Sequence, residues 1–450
     1  VGGMRLPRYG EYRDSGVVWL GSAPCYWRIA PLWTLFRRTK RTGFDDEQLL
    51  SVYRDFGVVP KASRDDNNNK PSDDLSVYQL VEPGDLVINK MKAWQGAVAI
   101  SDHRGIVSPA YFIYEATHSE NSRFLHYLLR SPRYITGYLS ISKGIRVNQW
   151  DLEPQYHSRM PVFLPPKEEQ TAIATFLDRE TAKIDALIAE QEKLIALLAE
   201  KRQATISHAV TRGLNPDAPM KDSGVAWLGE VPTHWKVGKA GFYVSVLPGY
   251  AFSSTEFSQD DRDTRLLRGI NVAVGELRWD EVVYWKRTES DRLSRFELMV
   301  GDVVIGMDRP LISSGMRVAI VKPEDVPCLL LQRVAKVEAA PSMDSRFIMM
   351  LLSSQLFAAH FAPETTGVSV PHISGEQISS FVISVPPLDE QCKICDFLEI
   401  ELSKLDVLNH KVEQAISLLK ERRSALITAA VTGQIDVRGA ITPADEDLAA

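Results

Sequence analysis

One sequence motif occurs twice in this 450-residue chain, more than 200 residues apart. Asp14-Ser-Gly-Val-Val-Trp-Leu-Gly21 returns as Asp222-Ser-Gly-Val-Ala-Trp-Leu-Gly229. A second motif, Pro165-Pro-Lys-Glu-Glu-Gln170, returns as Pro386-Pro-Leu-Asp-Glu-Gln391. This period is far longer than that of solenoid or propeller repeats, so each copy is long enough to fold by itself. The chain is therefore predicted to be a tandem of two similar halves with an internal pseudo-twofold repeat.

Composition favours a globular protein without a membrane segment. Hydrophobic residues make up 44% of the chain, which is enough for buried cores, and no run of 18 apolar residues is present. The first residues, Val1-Gly-Gly-Met-Arg5, lack the apolar stretch of a signal peptide. Only 4 cysteines are present, which argues against a disulfide framework. We expect a soluble, cytoplasmic protein, and the net charge of -6 leaves DNA binding open because its distribution matters more than its sum.

Two long segments have the apolar periodicity of a helix. Residues 168–210 and 389–431 place apolar side chains at steps of three and four, without an internal Pro or Gly. Each follows a Pro-Pro pair, and acidic residues occupy the first turn, where the helix dipole favours them. Helices of this length need a partner for their apolar stripe, so we predict that they pack together as an antiparallel coiled coil. A plain dimerisation helix is the alternative interpretation.

Between these helices lie two segments with short β-type runs. Gly84–Lys90 and Gly301–Gly306 begin matched strand patterns, and helical patterns follow at 123–129 and 346–357. We predict two α/β globular domains with mixed sheets, in tandem, separated by the two long helices. The predicted segments are a first globular domain (1–164), a first helical spacer (165–214), a second globular domain (215–384), a second spacer (385–437) and an acidic flexible tail (438–450).

The order of these motifs resembles that of a known family. A globular segment, then Pro-Pro-x-x-Glu-Gln-x-x-Ile-x-x-Phe-Leu, then a long helix ending in Ala-Val-Thr, occurs twice, and each half opens on Asp-Ser-Gly-Val-x-Trp-Leu-Gly. This arrangement is similar to that of the specificity subunits of type I restriction-modification systems. The resemblance covers the whole chain apart from the residues after about Val437.

The resemblance implies a function shared with partner subunits. It implies that segments 1–164 and 215–384 are two target recognition domains, each reading one half of a split, asymmetric sequence in double-stranded DNA. It also implies partners: two modification subunits that methylate adenine N6 with S-adenosylmethionine, and restriction subunits driven by ATP and Mg. Catalysis would reside in these partners, and this chain would bind no cofactor of its own.

Catalytic motifs are absent from the sequence. It contains no GxxxxGK[ST] phosphate loop, no HExxH, no GxSxG and no clustered His-Cys set. A lone CxxC, Cys392-Lys-Ile-Cys395, is more consistent with small residues on a helix than with a metal site. We therefore predict that the chain is not an enzyme and holds no metal.

Polar residues in the loops that differ between the two halves are the candidate DNA contacts. Arg and Lys favour guanine, Asn and Gln favour adenine, and Ser or Thr can pair with either. The first-half candidates are Lys90, Lys92, Trp94, Gln95, Lys143, Arg146, Asn148 and Gln149. The second-half candidates are Arg268, Asn271, Arg309, Ser313, Ser314, Arg317, Thr366, Ser369 and His372.

Residues shared by both halves are assigned other roles. Trp19, Trp27, Trp227 and Trp235 recur at identical spacing, and we predict that they pack in the core, since a shared residue cannot explain different specificities. The resemblance places the partner-binding residues near the helix starts, at Glu169, Gln170, Phe176, Glu390, Gln391 and Phe397. Two rival hypotheses remain: an assembly adaptor that binds only protein, and a fragment of a single-chain restriction-modification enzyme. An adaptor would show no salt-dependent binding to duplex DNA.

Overall fold

A computed structural model describes residues 6–64, 70–144, 150–312, 314–365 and 371–440. The chain divides into two compact units: unit 1 is residues 1–192 with 414–450, and unit 2 is residues 193–413. Both division points fall inside long helices, so each unit contains part of each helix. The five segments predicted from the sequence remain a prediction, and most of the tail predicted at 438–450 lies outside the described residues.

Unit 1 is built mainly from short strands. Its strands are β1 (Tyr12–Asp14), β2 (Ser22–Pro24), β3 (Arg28–Pro31), β4 (Phe36–Thr39), β5 (Leu50–Tyr53), β6 (Gly57–Pro60), β7 (Gln79–Val81), β8 (Leu86–Asn89), β9 (Val98–Ile100), β10 (Gly105–Val107), β11 (Tyr111–Ala116), β12 (Ser142–Lys143), β13 (Asp151–Leu152) and β14 (Pro161–Leu164). Its helices are α1 (Ser122–Leu129), α2 (Pro132–Ser140) and α3 (Pro154–His157), followed by the start of α4 (Lys167–Arg212).

The central sheet of unit 1 has the strand order β4-β11-β8-β9, and all neighbours are antiparallel. Successive residues of β8 are buried on opposite faces: Leu86 and Ile88 belong to a core that includes α1, whereas Val87 packs with the β5–β6 hairpin. A strand that is covered on both faces has no polar alternation, which explains the continuous apolar run in the sequence.

The two ends of the described chain meet within unit 1. The backbone N–H of Asp436 donates to the carbonyl of Pro7 at 2.8 Å, and the hydroxyl of Tyr12 donates to the carbonyl of Gly433 at 2.9 Å. Val437 belongs to the same core as Trp27. Unit 1 is therefore assembled from chain segments that are distant in sequence.

Unit 2 repeats many of these elements. Its strands are β15 (Met220–Asp222), β16 (Glu230–Pro232), β17 (Lys236–Lys239), β18 (Val244–Pro248), β19 (Thr264–Leu267), β20 (Tyr284–Trp285), β21 (Val303–Gly306), β22 (Leu311–Ile312), β23 (Gly315–Met316), β24 (Val318–Ile320), β25 (Cys328–Leu330), β26 (Val334–Ala339) and β27 (Val382–Val385). Its helices are α5 (Ser345–Ser353), α6 (Gln355–Thr365) and α7 (Gly375–Ser380), followed by α8 (Leu388–Val431), which ends in unit 1.

The central sheet of unit 2 has the strand order β18-β26-β21-β24, again antiparallel throughout. A second sheet, β20-β19-β25, includes one parallel pair, β19 with β25. The predicted mixed sheet is thus present in unit 2, but the prediction is wrong for unit 1, whose described strand pairs are antiparallel. The single helical pattern predicted at 346–357 is wrong in one respect, because the helix breaks at Ser354. This residue has extended backbone, and its hydroxyl accepts a hydrogen bond from the N–H of Phe357, so it caps α6.

Parts of the two long helices share a core within each unit. In unit 1, Leu177 of α4 and Val431 of α8 belong to one core, and Asp185 pairs with Arg423 at 2.8 Å. In unit 2, Val210 of α4 and Leu398 of α8 share a core. The helices occur close to the predicted ranges. In the part of the chain that the structure describes, no helix is long and apolar enough to cross a membrane.

Candidate nucleic-acid interface

In each unit, several of the described residues predicted to contact DNA lie in loops at one end of the central sheet. Because the neighbouring strands are antiparallel, the C-terminal end of β8 lies beside the N-terminal ends of β9 and β11 in unit 1. The C-terminal end of β21 lies in the same way beside the N-terminal ends of β24 and β26 in unit 2. We call these two regions the loop ends of unit 1 and unit 2.

The β8–β9 loop forms the centre of the loop end of unit 1. A short 3-10 turn, Ala93–Gln95, closes on Gly96, whose φ of 96° is readily adopted only by glycine. The turn buries Ala93 and leaves Lys92 and Gln95 exposed, with Lys90 partly buried. The turn thus presents two exposed polar side chains.

Trp94, another predicted contact in this loop, is held by two contacts within unit 1. Its ring packs against Trp150 with 4.9 Å between centroids, and its Nε1 donates to the carbonyl of Met91 at 3.0 Å. Both rings are partly buried. Lys143, which is exposed, pairs with Glu153 at 3.2 Å. Three further candidates, Arg146, Asn148 and Gln149, lie outside the described residues.

Three of the predicted residues at the loop end of unit 2 are exposed, and two more, Arg268 and Arg317, are partly buried. Arg309, Ser314 and His372 are exposed, and Arg268 is partly buried with its guanidinium donating to the carbonyl of Glu281 at 2.8 Å. The predicted contacts Ser313, Thr366 and Ser369 lie outside the described residues.

Two other predicted contacts have structural roles in this loop end. Asn271 is buried; its side chain accepts from the N–H of Arg268 and donates to the carbonyls of Arg278 and Glu281. The guanidinium of Arg317 donates to the carbonyls of Val272 and Asp308, and burial lowers the pKa of this group. These bonds hold the loops in place, and direct DNA contact by either residue stays a prediction.

Two residues of this loop end were missed in the sequence. Asp308 accepts hydrogen bonds from the Nη1 of Arg333, at 3.0 and 3.2 Å, and from the Nδ1 of His372, at 2.7 Å. The sequence does carry a signal for Arg333, since the polar pair Gln332-Arg333 interrupts an apolar run that forms two buried strands. Asp308 gave no signal, because its partners are 25 and 64 residues away.

Most of the predicted partner-binding residues have roles inside the units. Glu169 is buried and accepts three hydrogen bonds from the hydroxyls of Tyr9 and Tyr26 and the Nε1 of Trp27. Phe176 is buried in the same unit. Glu390 is partly exposed and pairs with His234 at 2.8 Å, and Phe397 is exposed. Partner contact by these residues stays a prediction, but only Glu390 and Phe397 of this set have accessible surface.

The two glutamines of the repeated Pro-Pro motif also make internal contacts. The side-chain oxygen of Gln170 accepts from the N–H of Asn121, directly before α1. The side-chain oxygen of Gln391 accepts from the N–H of Asp344, directly before α5. Each glutamine therefore ties the start of a long helix to the first helix of its own unit. Its partner-binding role likewise stays a prediction.

The four repeated tryptophans pack as the sequence indicated. Trp27 and Trp235 are fully buried, Trp19 packs edge-on to Tyr134 at 5.3 Å, and Trp227 stacks on Phe381 at 4.6 Å. Among the residues that the structure describes, no group of His, Cys, Asp and Glu is arranged to hold a metal ion.

Comparison with known proteins gives consistent matches. Residues 285–417 match the type I restriction modification DNA specificity domain. The chain is 26% identical over 314 residues to the MjaVIII specificity subunit of Methanocaldococcus jannaschii, covering 69% of this chain and 70% of that protein. It is 30% identical over 243 residues to the EcoAI specificity subunit of Escherichia coli, covering 53% and 40% respectively. The EcoKI specificity subunit of Escherichia coli is 22% identical over 440 residues, covering 92% and 90%.

A solved structure has the same fold. It comes from work on the complex assembly and conformational transition of the type I restriction-modification system. The match covers 92% of this chain and 99% of the solved chain, with a TM-score of 0.62 and 16% sequence identity. At this identity the similarity shows the fold alone. Together with the matched domain and the named relatives, it confirms the predicted resemblance of this chain to the specificity subunits of type I restriction-modification systems.

Proposed function

We propose that this chain is the DNA-sequence-specificity subunit of a type I restriction-modification complex, in which each unit reads one half of a bipartite, asymmetric DNA target. The single observation that carries the proposal is the pair of loop ends. Both emerge from sheets of the same strand order, yet Lys92 and Gln95 are exposed in one and Arg309 and Ser314 in the other. A shared framework with different exposed polar groups is what two readers of different base sequences require.

The two long helices set the distance between the half-sites in this proposal. The ion pair between Asp185 and Arg423 in unit 1, and the one between Arg202 and Asp406 in unit 2, each join α4 to α8. Within each unit the shared apolar core and these pairs support an antiparallel coiled coil, as expected of a pseudo-twofold repeat. The predicted recognition domains and spacers are the segments 1–164, 165–214, 215–384 and 385–437.

The catalytic steps belong to the partner subunits in this proposal. Two modification subunits and the restriction subunits bind S-adenosylmethionine, ATP and Mg, whereas this chain contributes sequence recognition and is not an enzyme. The named relatives are specificity subunits, which agrees with this division of labour. Phe397, exposed on the first half of α8 in unit 2, is the predicted partner-binding residue with the most accessible apolar surface.

Mapping N6-methyladenine across a genome tests the proposal. The chain is expressed together with its modification subunit, and the same strain without the chain is the control. We expect one split, asymmetric motif that disappears in the control. Methylation that does not depend on the chain would contradict the proposal and would favour the protein-binding adaptor, which would also show no salt-dependent binding to duplex DNA.

A further inference from the structure

We infer that Arg333 is a specificity-determining residue of unit 2, which reads a guanine in one half-site, and that Asp308 is its positioning residue. The inference rests on the proposed function, because it needs DNA at the loop end of unit 2.

The backbone around Arg333 is strained. Arg333 has a φ of 73° and Arg309 has a φ of 45°, and these are the two non-glycine residues of the described chain with positive φ. Both are at the loop end of unit 2. Left-handed backbone is costly for residues with a Cβ, and it persists where surrounding contacts fix it, often at functional sites. Glycine would remove the cost at either position, yet two arginines stand there.

The surrounding contacts that fix this backbone are present. The N–H of Met307 donates to the carbonyl of Arg333 at 2.9 Å, and the N–H of Arg309 donates to the carbonyl of Pro371 at 2.7 Å. Asp308 pairs with His372 through an isolated β-bridge. Three chain segments are thereby joined at one point beside the end of β21.

The side chain of Arg333 is held at one nitrogen and left open at the others. Its Nη1 donates to both carboxylate oxygens of Asp308, and 60% of the Arg333 side chain is exposed. Among the described residues, Nε and Nη2 have no hydrogen-bond partner. These two nitrogens form the fork that matches the O6 and N7 acceptors of guanine in the major groove. A guanidinium fixed by a carboxylate loses less rotational freedom when it binds a base.

The same position in unit 1 carries no such group. The N–H of Lys90 donates to the carbonyl of Ala110, just as the N–H of Met307 donates to that of Arg333. Ala110 directly precedes β11, which pairs with β8, and Arg333 directly precedes β26, which pairs with β21. Alanine therefore stands in unit 1 where arginine stands in unit 2. A residue that differs at a matched position of the framework is suited to give the units different specificities.

The experiment compares Arg333→Ala with wild type in complexes with the modification subunit, by mapping N6-methyladenine. We expect the variant to accept other bases at one guanine of one half-site, with the other half-site unchanged. Discrimination at that position should fall about 5- to 150-fold, which is the usual value of one bidentate base contact. Asp308→Asn should relax the same position to a smaller extent and no other. Arg262→Ala is the matched control. Arg262 is also an exposed arginine, but it precedes the N-terminal end of β19, whereas Arg268 of the loop end follows the C-terminal end of that strand.

Duplexes with 7-deazaguanine, which lacks the N7 acceptor, provide a second measurement. Methyl transfer by the wild-type complex should slow when the assigned guanine is replaced, and transfer by Arg333→Ala should be indifferent to that replacement. An unchanged motif in Arg333→Ala would overturn the inference and leave the proposed function standing. Equal weakening at every base would also overturn it, since that result identifies a phosphate contact. The absence of any split motif in wild type would instead refute the proposed function.

Discussion

The two long helices begin with the same motif but have different surroundings. Glu169, near the start of α4, accepts hydrogen bonds from Tyr9 at 2.6 Å, Tyr26 at 2.9 Å and Trp27 at 3.1 Å. Glu390, near the start of α8, is bonded to His234 at 2.8 Å. The buried Trp235 of unit 2 has no partner for its Nε1 among the described residues.

The difference shows that a repeated motif does not determine its own hydrogen-bond network. Tyr26 and His234 occupy the same place in the repeat, and Tyr9 comes from a segment before it. Burial together with the carboxylate of Glu169 raises the pKa of Tyr26 to about 12 and also raises that of Tyr9. In unit 1 the buried carboxylate of Glu169 therefore joins three aromatic side chains, whereas in unit 2 the equivalent carboxylate of Glu390 is partly exposed.

The largest expected effect comes from removing the carboxylate of Glu169, with removal of the Glu390 carboxylate as the comparison. Glu169→Ala leaves three donors without their acceptor, two of them in a buried position, and should destabilise unit 1 by about 3 kcal/mol. Glu390→Ala breaks a pair with a half-exposed histidine and should cost less than about 1 kcal/mol. Peptide-resolved amide hydrogen exchange measures both, because it reports the opening free energy of each unit separately.

The matched readouts are peptides that cover 22–31 in unit 1 and 230–239 in unit 2. Each variant should accelerate exchange only in its own unit. Equal losses in the two variants would show that the extra hydrogen bonds of Glu169 add nothing, and the comparison between the helix starts would fail.

The second effect concerns acid pH and unit 1. His157 is fully buried, and neither ring nitrogen has a partner in the described residues; burial lowers its pKa to about 3. Its folded pKa lies below the unfolded value, so its contribution is present above about pH 6.5 and is lost as the pH falls towards 3. From this histidine, unit 1 should be about 2 kcal/mol less stable at pH 5 than at pH 7.

His157→Phe tests this cause directly. Phenylalanine keeps the packing against Tyr114 and Tyr138, whose ring centroids are 5.2 and 5.8 Å from the imidazole, and it cannot be protonated. Exchange in unit 1 should depend less on pH in the variant than in wild type. Some dependence should persist, because burial also lowers the pKa of His126 to about 3. An identical pH profile in variant and wild type would exclude His157 as a cause.

The smallest of the three effects isolates one hydrogen bond. Trp27→Phe and Trp235→Phe remove similar apolar surface from equivalent buried sites, but only Trp27 loses a bond, that from Nε1 to Glu169. The cost for Trp27 should exceed that for Trp235 by about 1.5 kcal/mol, the typical value for a hydrogen bond to a charged group. Denaturant unfolding monitored by exchange in each unit gives the two values, and a difference near zero would contradict the assignment.

Local pattern was enough to predict the long helices and several strands. The helix predicted at 168–210 is present as Lys167–Arg212, and the one predicted at 389–431 as Leu388–Val431. Apolar periodicity is strong over forty residues, and the Pro-Pro pairs mark the starts. The buried strands β8 and β21 also lie within their predicted runs, because runs of apolar residues between turn signals are typical of covered strands.

Tertiary contacts explain what the sequence did not reveal. Asn271 was predicted to contact DNA because its amide suits adenine, but its three hydrogen bonds lie within its own loops. Arg333 was not among the predicted contacts, and its hydrogen bond to Asp308, 25 residues earlier, has no local signal in the sequence. Gln170 and Gln391 tie helices together across about fifty residues of sequence. Side-chain type alone does not distinguish a residue that holds a loop in place from one that is exposed for contact with DNA.

The division of the chain has a consequence for its synthesis. Unit 2 is one continuous stretch, 193–413, whereas unit 1 needs residues from 414–450 as well as 1–192. The core that holds Trp27 includes Val437, and the N–H of Asp436 bonds to Pro7. On the ribosome, at about 5–20 residues per second, the first-made segment must wait roughly 10 to 45 s for the last. The second unit along the chain can thus be complete before the first, which reverses the usual order of domain folding during translation.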